Sequence, residues 1–210
     1  MPAAPVTRRR SAQPLPSAFA EWFASRGWLL RPHQRALIDK QRDGRSTLLI
    51  APTGAGKTLA GFLPTLIDLV AAREGMSSPP RRNSERGLHT LYISPLKALA
   101  VDVQRNLMVP VAEMGLDISI ETRTGDTPAA RRARQRVRPP DILLSTPEQL
   151  ALMLSHDESP ALFASVRRIV LDELHALVIS KRGDLLALGL ARLRTHAPDV
   201  VVTGLSATVA

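Results

Sequence analysis

Cysteine is absent from the 210-residue chain, which excludes disulfide scaffolds and thiolate-held zinc or iron-sulfur centres and permits a reducing compartment. Long hydrophobic runs are absent too. The longest apolar stretches, Leu59 to Ile67 and Leu185 to Ala191, fall far short of the roughly 20 residues a membrane-spanning helix requires, so a soluble protein with no membrane partner is expected. The first residues, MPAAPVTRRRSAQPLP from Met1 to Pro16, hold no apolar core for a secretory signal. Prolines at 2, 5, 14 and 16 break the amphipathic helix that an organellar transit peptide needs, and residues 1–17 read as a flexible tail. Acidic charge is short: 19 Asp and Glu face 28 Lys and Arg, a net charge of +9 that favours a polyanionic partner without naming it.

What is present is enough apolar residue, 44%, to bury an ordinary globular core. Short runs rich in leucine, isoleucine and valine recur at Thr47 to Ala51, Leu88 to Ser94, Ile118 to Thr122, Asp141 to Ser145, Arg168 to Asp172 and Val200 to Ser206. Each reads as a strand. Segments with helical spacing lie between them, as at Leu59 to Val70, Leu96 to Met114 and Leu185 to Arg194. Strands alternating with helices predict an α/β domain over residues 18–210, a mainly parallel sheet with helices on both faces. Gly75 to Gly87 (GMSSPPRRNSERG) reads as an exposed loop, and no internal repeat is visible. In such folds ligands sit beyond the carboxyl ends of the strands, where the chemistry should be sought.

Directly after the first run comes APTGAGKT, Ala51 to Thr58, leading into a helical segment. Small residues let the backbone N–H groups of Gly54 to Thr58 converge on phosphate oxygens beside a helix N-terminus, with Thr53, Gly54, Ala55 and Gly56 forming the loop. Lys57 would reach the β and γ phosphates, and Thr58 would offer a hydroxyl to Mg2+. A strict phosphate-loop pattern asks for glycine where Ala51 stands, and Pro64 sits awkwardly inside the following helix. The fifth run ends in Asp172-Glu173-Leu174-His175. Asp172 suits a Mg2+ ligand and Glu173 a base for an attacking water. His175 has no assignment from spacing alone.

APTGAGKT, DELH and the later Ser206-Ala207-Thr208 together resemble motifs I, II and III of superfamily 2 helicases of the DExH type. SPLKAL at Ser94 to Leu99 is similar to motif Ia, TRTGDT at Thr122 to Thr127 to motif Ib, and STPEQL at Ser145 to Leu150 to the element that follows. Arg31-Pro32-His33-Gln34 resembles the adenine-sensing glutamine motif. The texture from about Phe19 to Ala210 is most similar to the bacterial ligase-associated DExH-box helicases of the large helicase-related family.

The resemblance implies a RecA-like phosphate-loop domain using ATP and Mg2+. It implies adenine recognition by Gln34 with Arg31, although a surface glutamine at a helix start is the plainer alternative. Ser206 and Thr208 would couple the γ-phosphate site, through His175, to the nucleic-acid side. Ser94, Pro95, Lys97, Thr124, Gly125, Asp126, Thr127, Thr146, Pro147 and Glu148 each follow an expected strand and would hold phosphates of one strand without reading bases. Ordinary helix capping by Ser94, Thr127 and Thr146 stays open. The arginines at 131, 132, 134, 136 and 138 read as a solvated basic helix or loop rather than as phosphate contacts.

The implied activity is that of a 3'-to-5' DNA helicase or translocase, cytoplasmic, nucleoid-associated and engaged in repair, with single-stranded DNA as partner. RNA or an RNA:DNA hybrid stays open as a partner. The motifs expected of a second RecA-like domain, and the arginine finger it would lend, have no counterpart here, so the chain is expected to bind Mg-ATP and single strands with little turnover. A DExH-type RNA helicase and a non-motor ATP-dependent binding module are the rival readings.

Overall fold

Every apolar run of the alternating pattern becomes a parallel strand in the computed structural model, which describes residues 14–74 and 87–207. The strands are β1 (Thr47–Ile50), β2 (Thr90–Ile93), β3 (Ile120–Arg123), β4 (Ile142–Ser145), β5 (Arg168–Leu171) and β6 (Val201–Ser206). They form one sheet in the order β1-β6-β5-β2-β4-β3, with every neighbouring pair parallel. Several are shorter than the apolar runs because Ala51, Ser94 and Asp172 turn out of the ladder, although their N–H groups still donate to Ser206, Ser145 and Ile93. Central strands β2, β4 and β5 are buried along their whole length, as helices on both faces require. Edge strand β1 alternates instead, and leaves Leu48 and Ile50 about half exposed.

Parallel neighbours need crossovers, and helices supply them. Ahead of the sheet come α1 (Ser17–Ser25) and α2 (Pro32–Arg42), and crossing it are α3 (Lys57–Glu74), α4 (Lys97–Glu113) and α5 (Ala129–Val137). The chain continues through α6 (Pro147–Leu154), α7 (Ser159–Phe163), α8 (Leu174–Val178) and α9 (Lys181–His196). One face of the sheet packs Phe19, Phe62, Leu66 and Tyr92, and the other packs Leu91, Ile93, Phe163 and Leu193.

One expectation needs correction. Helix α3 runs unbroken through Pro64, because its aliphatic side chains, among them the fully buried Leu63 and Leu66, each contribute about 1.5–3 kcal/mol and together outweigh the roughly 3 kcal/mol cost of the proline. Gly61 makes that seating close, since a Cβ there would fall 2.9 Å from Leu205. Of the expected tail, residues 1–13 lie outside the described residues, Leu15 packs on the core and Ser17 opens α1. Of the two readings of the arginine-rich segment, helix and loop, the structure shows the helix, α5. Residues 75–86 of the expected loop lie outside the described residues.

At the amino ends of the strands a buried polar network closes the sheet. Arg168 binds Asp68 of α3 at 2.6 Å and Gln41 of α2, whose amide also reaches Thr203. Asp141 accepts from Arg73 at 3.0 Å and from the Ser119 N–H and hydroxyl at 2.7 Å. His89 sits between, and burial pushes its imidazole down to about 4 against the opposing pull of Asp68.

Candidate nucleotide and nucleic-acid site

The loop between β1 and α3 is shaped by two glycines with left-handed backbone, Gly54 at φ 80° and Gly56 at φ 74°. Such angles cost any other residue about 1–2 kcal/mol, so the glycines are what lets the chain reverse tightly into α3. The Ala55 N–H closes a turn onto the Pro52 carbonyl, and Thr53 is exposed. The Lys57 ammonium lies across the loop, donating to the carbonyls of Ala51 at 2.8 Å and Pro52 at 3.1 Å. It is nearly buried and held where a phosphate approaching the α3 N-terminus would meet it.

Strand β6 separates this loop from the acidic pair that follows β5. Asp172 is buried; its carboxylate accepts the Tyr92 hydroxyl at 2.7 Å and the Glu173 N–H at 2.9 Å. Glu173 is the sole non-glycine residue with positive φ among the described residues, at φ 47° and ψ 45°. A left-handed non-glycine residue at a strand end stores strain, a pattern that concentrates at functional sites. The same turn brings the Glu173 carboxylate within 3.4 Å of His175 Nδ1, and that nitrogen lies 3.1 Å from the Ser206 hydroxyl at the end of β6. Asp172, Glu173, His175 and Ser206 are thereby brought together; Thr208 lies outside the described residues. No group of three or more acidic or histidine residues that could hold a metal occurs among the described residues. Mg2+ needs none, since it keeps its waters and takes one or two protein oxygens beside phosphates, and Thr58 with Asp172 fits that demand.

Arg31 and Gln34 fall beside the loop. Gln34 is buried, its Oε1 accepts the Arg31 N–H at 2.9 Å, and Arg31 Nη1 reaches the Gly54 carbonyl at 3.4 Å. Both line a cavity of about 670 Å3 that runs from Gly54, Gly56 and Thr58 to the tryptophans of α1 and its following turn. Trp22 and Trp28 pack edge to face at 5.6 Å with the Arg26 guanidinium 5.4 and 5.2 Å from their ring centroids, and Glu113 of α4 binds Arg26 and Trp22. These residues were not anticipated. The signal was there: the only two tryptophans in the chain fall just ahead of Arg31-Pro32-His33-Gln34. Tyr92 was missed as well, although it is the only tyrosine. Its hydroxyl is pushed well above the usual range by burial and by the Asp172 carboxylate, so it stays protonated and donates.

The segments after β2, β4 and β3 emerge side by side on the same edge. Lys97 reaches Asp126 at 2.6 Å, both exposed, linking the loops after β2 and β3. Several hydroxyls are spent locally. Ser94 Oγ donates to the Leu96 carbonyl, and Thr127 Oγ1 accepts the Thr124 N–H. Thr146 is buried ahead of α6 and makes no side-chain cap, and Pro147 occupies the first turn. Arg182 of α9, another unanticipated residue, donates to Glu148 at 2.6 Å and to the Pro95 carbonyl at 2.7 Å, tying the loops after β2 and β4 together. Burial pulls the Glu148 carboxyl up, but the Thr146 hydroxyl and Arg182 leave it below the usual range. Gly125 and Asp126 form the exposed tip of the β3 loop.

A glycine-hinged phosphate loop and a strained acidic turn on strands flanking β6 place the domain among the RecA-like phosphate-loop folds. The family model described as DEAD/DEAH box helicase matches residues 31–210, and the chain belongs to that family. It is 44% identical over 203 residues to the Lhr helicase/probable uracil glycosylase of Mycolicibacterium smegmatis, covering 90% of this chain and 13% of that protein. It is 40% identical over 215 residues to the Lhr helicase/uracil glycosylase of Escherichia coli, covering 93% of this chain and 14% of that protein. Among solved structures it is similar to the Mycobacterium smegmatis helicase Lhr bound to ssDNA and AMP-PNP, with 39% identity, a TM-score of 0.81 and coverage of 93% of this chain and 25% of that one. The chain thus spans a minor part of the relatives it matches.

Proposed function

We propose that this chain is the ATP-binding half of an ATP-dependent 3'-to-5' DNA helicase or translocase working in DNA repair in the bacterial cytoplasm at the nucleoid. The observation that carries the reading is the meeting of the Asp172-Glu173-Leu174-His175 turn with Ser206 at the end of β6, the strand beside the phosphate loop. Lys57 exchanges its carbonyl partners for the β and γ phosphates, and the amides from Gly54 to Thr58 share the remaining charge. Thr58 and Asp172 would hold Mg2+, which would supply positive charge to neutralise the phosphates. Glu173 accepts the proton of the attacking water, and Arg31 and Gln34 select adenine. His175 and Ser206 then report the state of the γ-phosphate to the neighbouring loops.

The track on the other strands, Ser94 to Lys97, Thr124 to Thr127 and Thr146 to Glu148, holds the backbone of single-stranded DNA. Support for DNA comes from the ssDNA in the Lhr structure at 39% identity. A second RecA-like domain, in the part of the full protein that the relatives' greater length points to, supplies the arginine finger, worth roughly 10^3 to 10^5 in turnover. The 210-residue chain alone therefore binds Mg-ATP and hydrolyses it slowly.

Steady-state ATP hydrolysis by the purified chain, with and without single-stranded DNA and with Lys57→Ala as control, tests this. Negligible turnover with Mg-ATP bound by the wild type alone is the expected result. DNA-stimulated turnover abolished by Lys57→Ala would sink the half-motor reading. Matched DNA and RNA competitors separate the RNA alternative. In the full-length protein, hydrolysis unaffected by Glu173→Gln would leave only a binding module.

A further inference from the structure

The basic helix α5 is not uniformly solvated, and its two sides differ in kind. On one side Arg131 and Arg134 reach Glu121 of β3 at 3.3 and 2.6 Å, and Gln135 adds a third bond at 2.8 Å. Burial pulls the Glu121 carboxyl up, but these donors hold it below the usual range, so that half of the cluster is internally neutralised. On the other side no carboxylate stands within ion-pair distance of Arg123, Arg132, Arg136 or Arg138 among the described residues. Arg123, the last residue of β3, is 3% exposed. Its Nε is buried without a hydrogen-bond partner, and its Nη1 makes one long bond, 3.4 Å, to the Arg132 carbonyl. Burial, then the charges of Arg136 and Arg132, pull its pKa down, a second sign of uncompensated positive charge. Arg123 and Arg136 line a cleft with His156, Glu158 and Ser159, and Glu158 is beyond ion-pair range of both.

A buried cation without a counter-charge is costly to fold, and more so with like charges four residues apart on the helix above it. Such an arrangement is balanced when an anion arrives from outside. The cleft is only about 10 Å3, too small to admit a base or a nucleotide, so the anion must lie across its mouth. Position narrows its identity. β3 is the outermost strand of the sheet, and Arg123 directly precedes Thr124 to Thr127, the last loop of the track.

We propose that Arg132 and Arg136, backed by the buried Arg123, form an additional phosphate-binding subsite that holds the nucleic-acid backbone where it leaves the sheet edge beyond β3. The inference rests on the nucleic-acid reading above and adds residues that no motif assigns. It is a sequence-independent, electrostatic contact, and each phosphate it holds contributes about 0.7 to the salt slope of single-strand binding.

The test is anisotropy of a labelled oligothymidylate with the 210-residue chain across a salt series, comparing wild type with Arg132→Ala/Arg136→Ala. The double variant should lower the slope of log K against log salt by about 0.7, the share of the one phosphate the subsite holds, while Arg192→Ala/Arg194→Ala, an equal charge loss on exposed positions of α9, leaves it unchanged. Unchanged binding of a fluorescent ATP analogue and an unchanged Tm check that the variants are folded. A wild-type slope in the Arg132/Arg136 variant, or an equal drop in both variants, would overturn the subsite and would show that the cluster faces solvent or an acidic protein. No binding of the oligonucleotide by the wild type would instead overturn the nucleic-acid reading beneath it.

Discussion

The carboxyl edge of the sheet has two halves built on different principles. Strands β1, β6 and β5 carry the phosphate loop, Ser206 and the acidic turn, and there the backbone itself is specialised: two glycines and Glu173 take left-handed angles. Strands β2, β4 and β3 carry the proposed track, whose loops contain no residue of positive φ and whose hydroxyls are largely spent on their own turns. A site for one small, highly charged ligand needs fixed dipoles at one point. A track for a polymer needs only exposed cations and amides at intervals. Tyr92 joins the halves, since it rises from β2 and donates to Asp172 after β5.

The largest effects should come from attacking either side of that contrast at its strongest point. Lys57→Ala should weaken Mg-ATP binding about 100-fold, as expected for two charge-assisted bonds, while changing single-strand affinity less than about threefold. Titration calorimetry with each ligand reads both numbers. A comparable loss in both would mean that the halves do not divide the labour. A similar free energy is at stake at the opposite edge. His89 has an ordinary value of 6.5 in the unfolded chain and about 4 in the folded one, so the neutral form is the one folding favours. Its contribution is complete above pH 6.5 and is lost as pH falls towards 4, about 3 kcal/mol in all. Because His89 lies beside both the Asp68–Arg168 and the Asp141 contacts, acid should loosen the two halves in one transition. Thermal melts between pH 4 and 7 showing two separate steps would contradict this.

Tyr92→Phe acts on the junction. Removing the hydroxyl leaves a buried carboxylate short of one donor, a cost of about 1–3 kcal/mol and a Tm lowered by roughly 2 to 10 °C. Calorimetric melting checks it, and an unchanged Tm would mean that solvent replaces the donor freely. In the full-length protein the same variant should weaken the stimulation of hydrolysis by DNA more than it weakens hydrolysis itself, because Tyr92 spans from the track side to the acidic turn.

How much of this was legible in the sequence follows from the distances involved. The phosphate loop could be read because strand, glycines, lysine and helix are contiguous, and each residue type has a local reason to be there. The parallel sheet was legible for a related cause, since strands buried on both faces read as unbroken apolar runs. What escaped was held together across the chain. Tyr92 meets Asp172 across 80 residues, Trp22 meets Glu113 across 91, and Arg182 meets Glu148 across 34. No window of sequence contains both partners. The arginines of α5 were visible as a cluster, but only the fold shows that Glu121 reaches two of them and that, among the described residues, the others have no carboxylate partner.

The smallest effects should come from the surface pairs that tie the track loops together. Lys97 and Asp126 are both largely exposed, so Lys97→Ala should change stability by less than about 0.5 kcal/mol. Its effect belongs to binding: without the ammonium one phosphate goes unneutralised, and the salt slope falls by about 0.7. Arg182→Ala is the instructive counterpart, because Arg182 is occupied with Glu148 and Pro95 and should touch no phosphate directly. Releasing it frees Glu148, which then faces the strand as an unpaired negative charge, and affinity should fall at low salt with the slope scarcely changed. If Arg182→Ala instead lowers the slope as Lys97→Ala does, Arg182 itself is a phosphate ligand, and the second half of the edge holds its strand through α9 as well as through its loops.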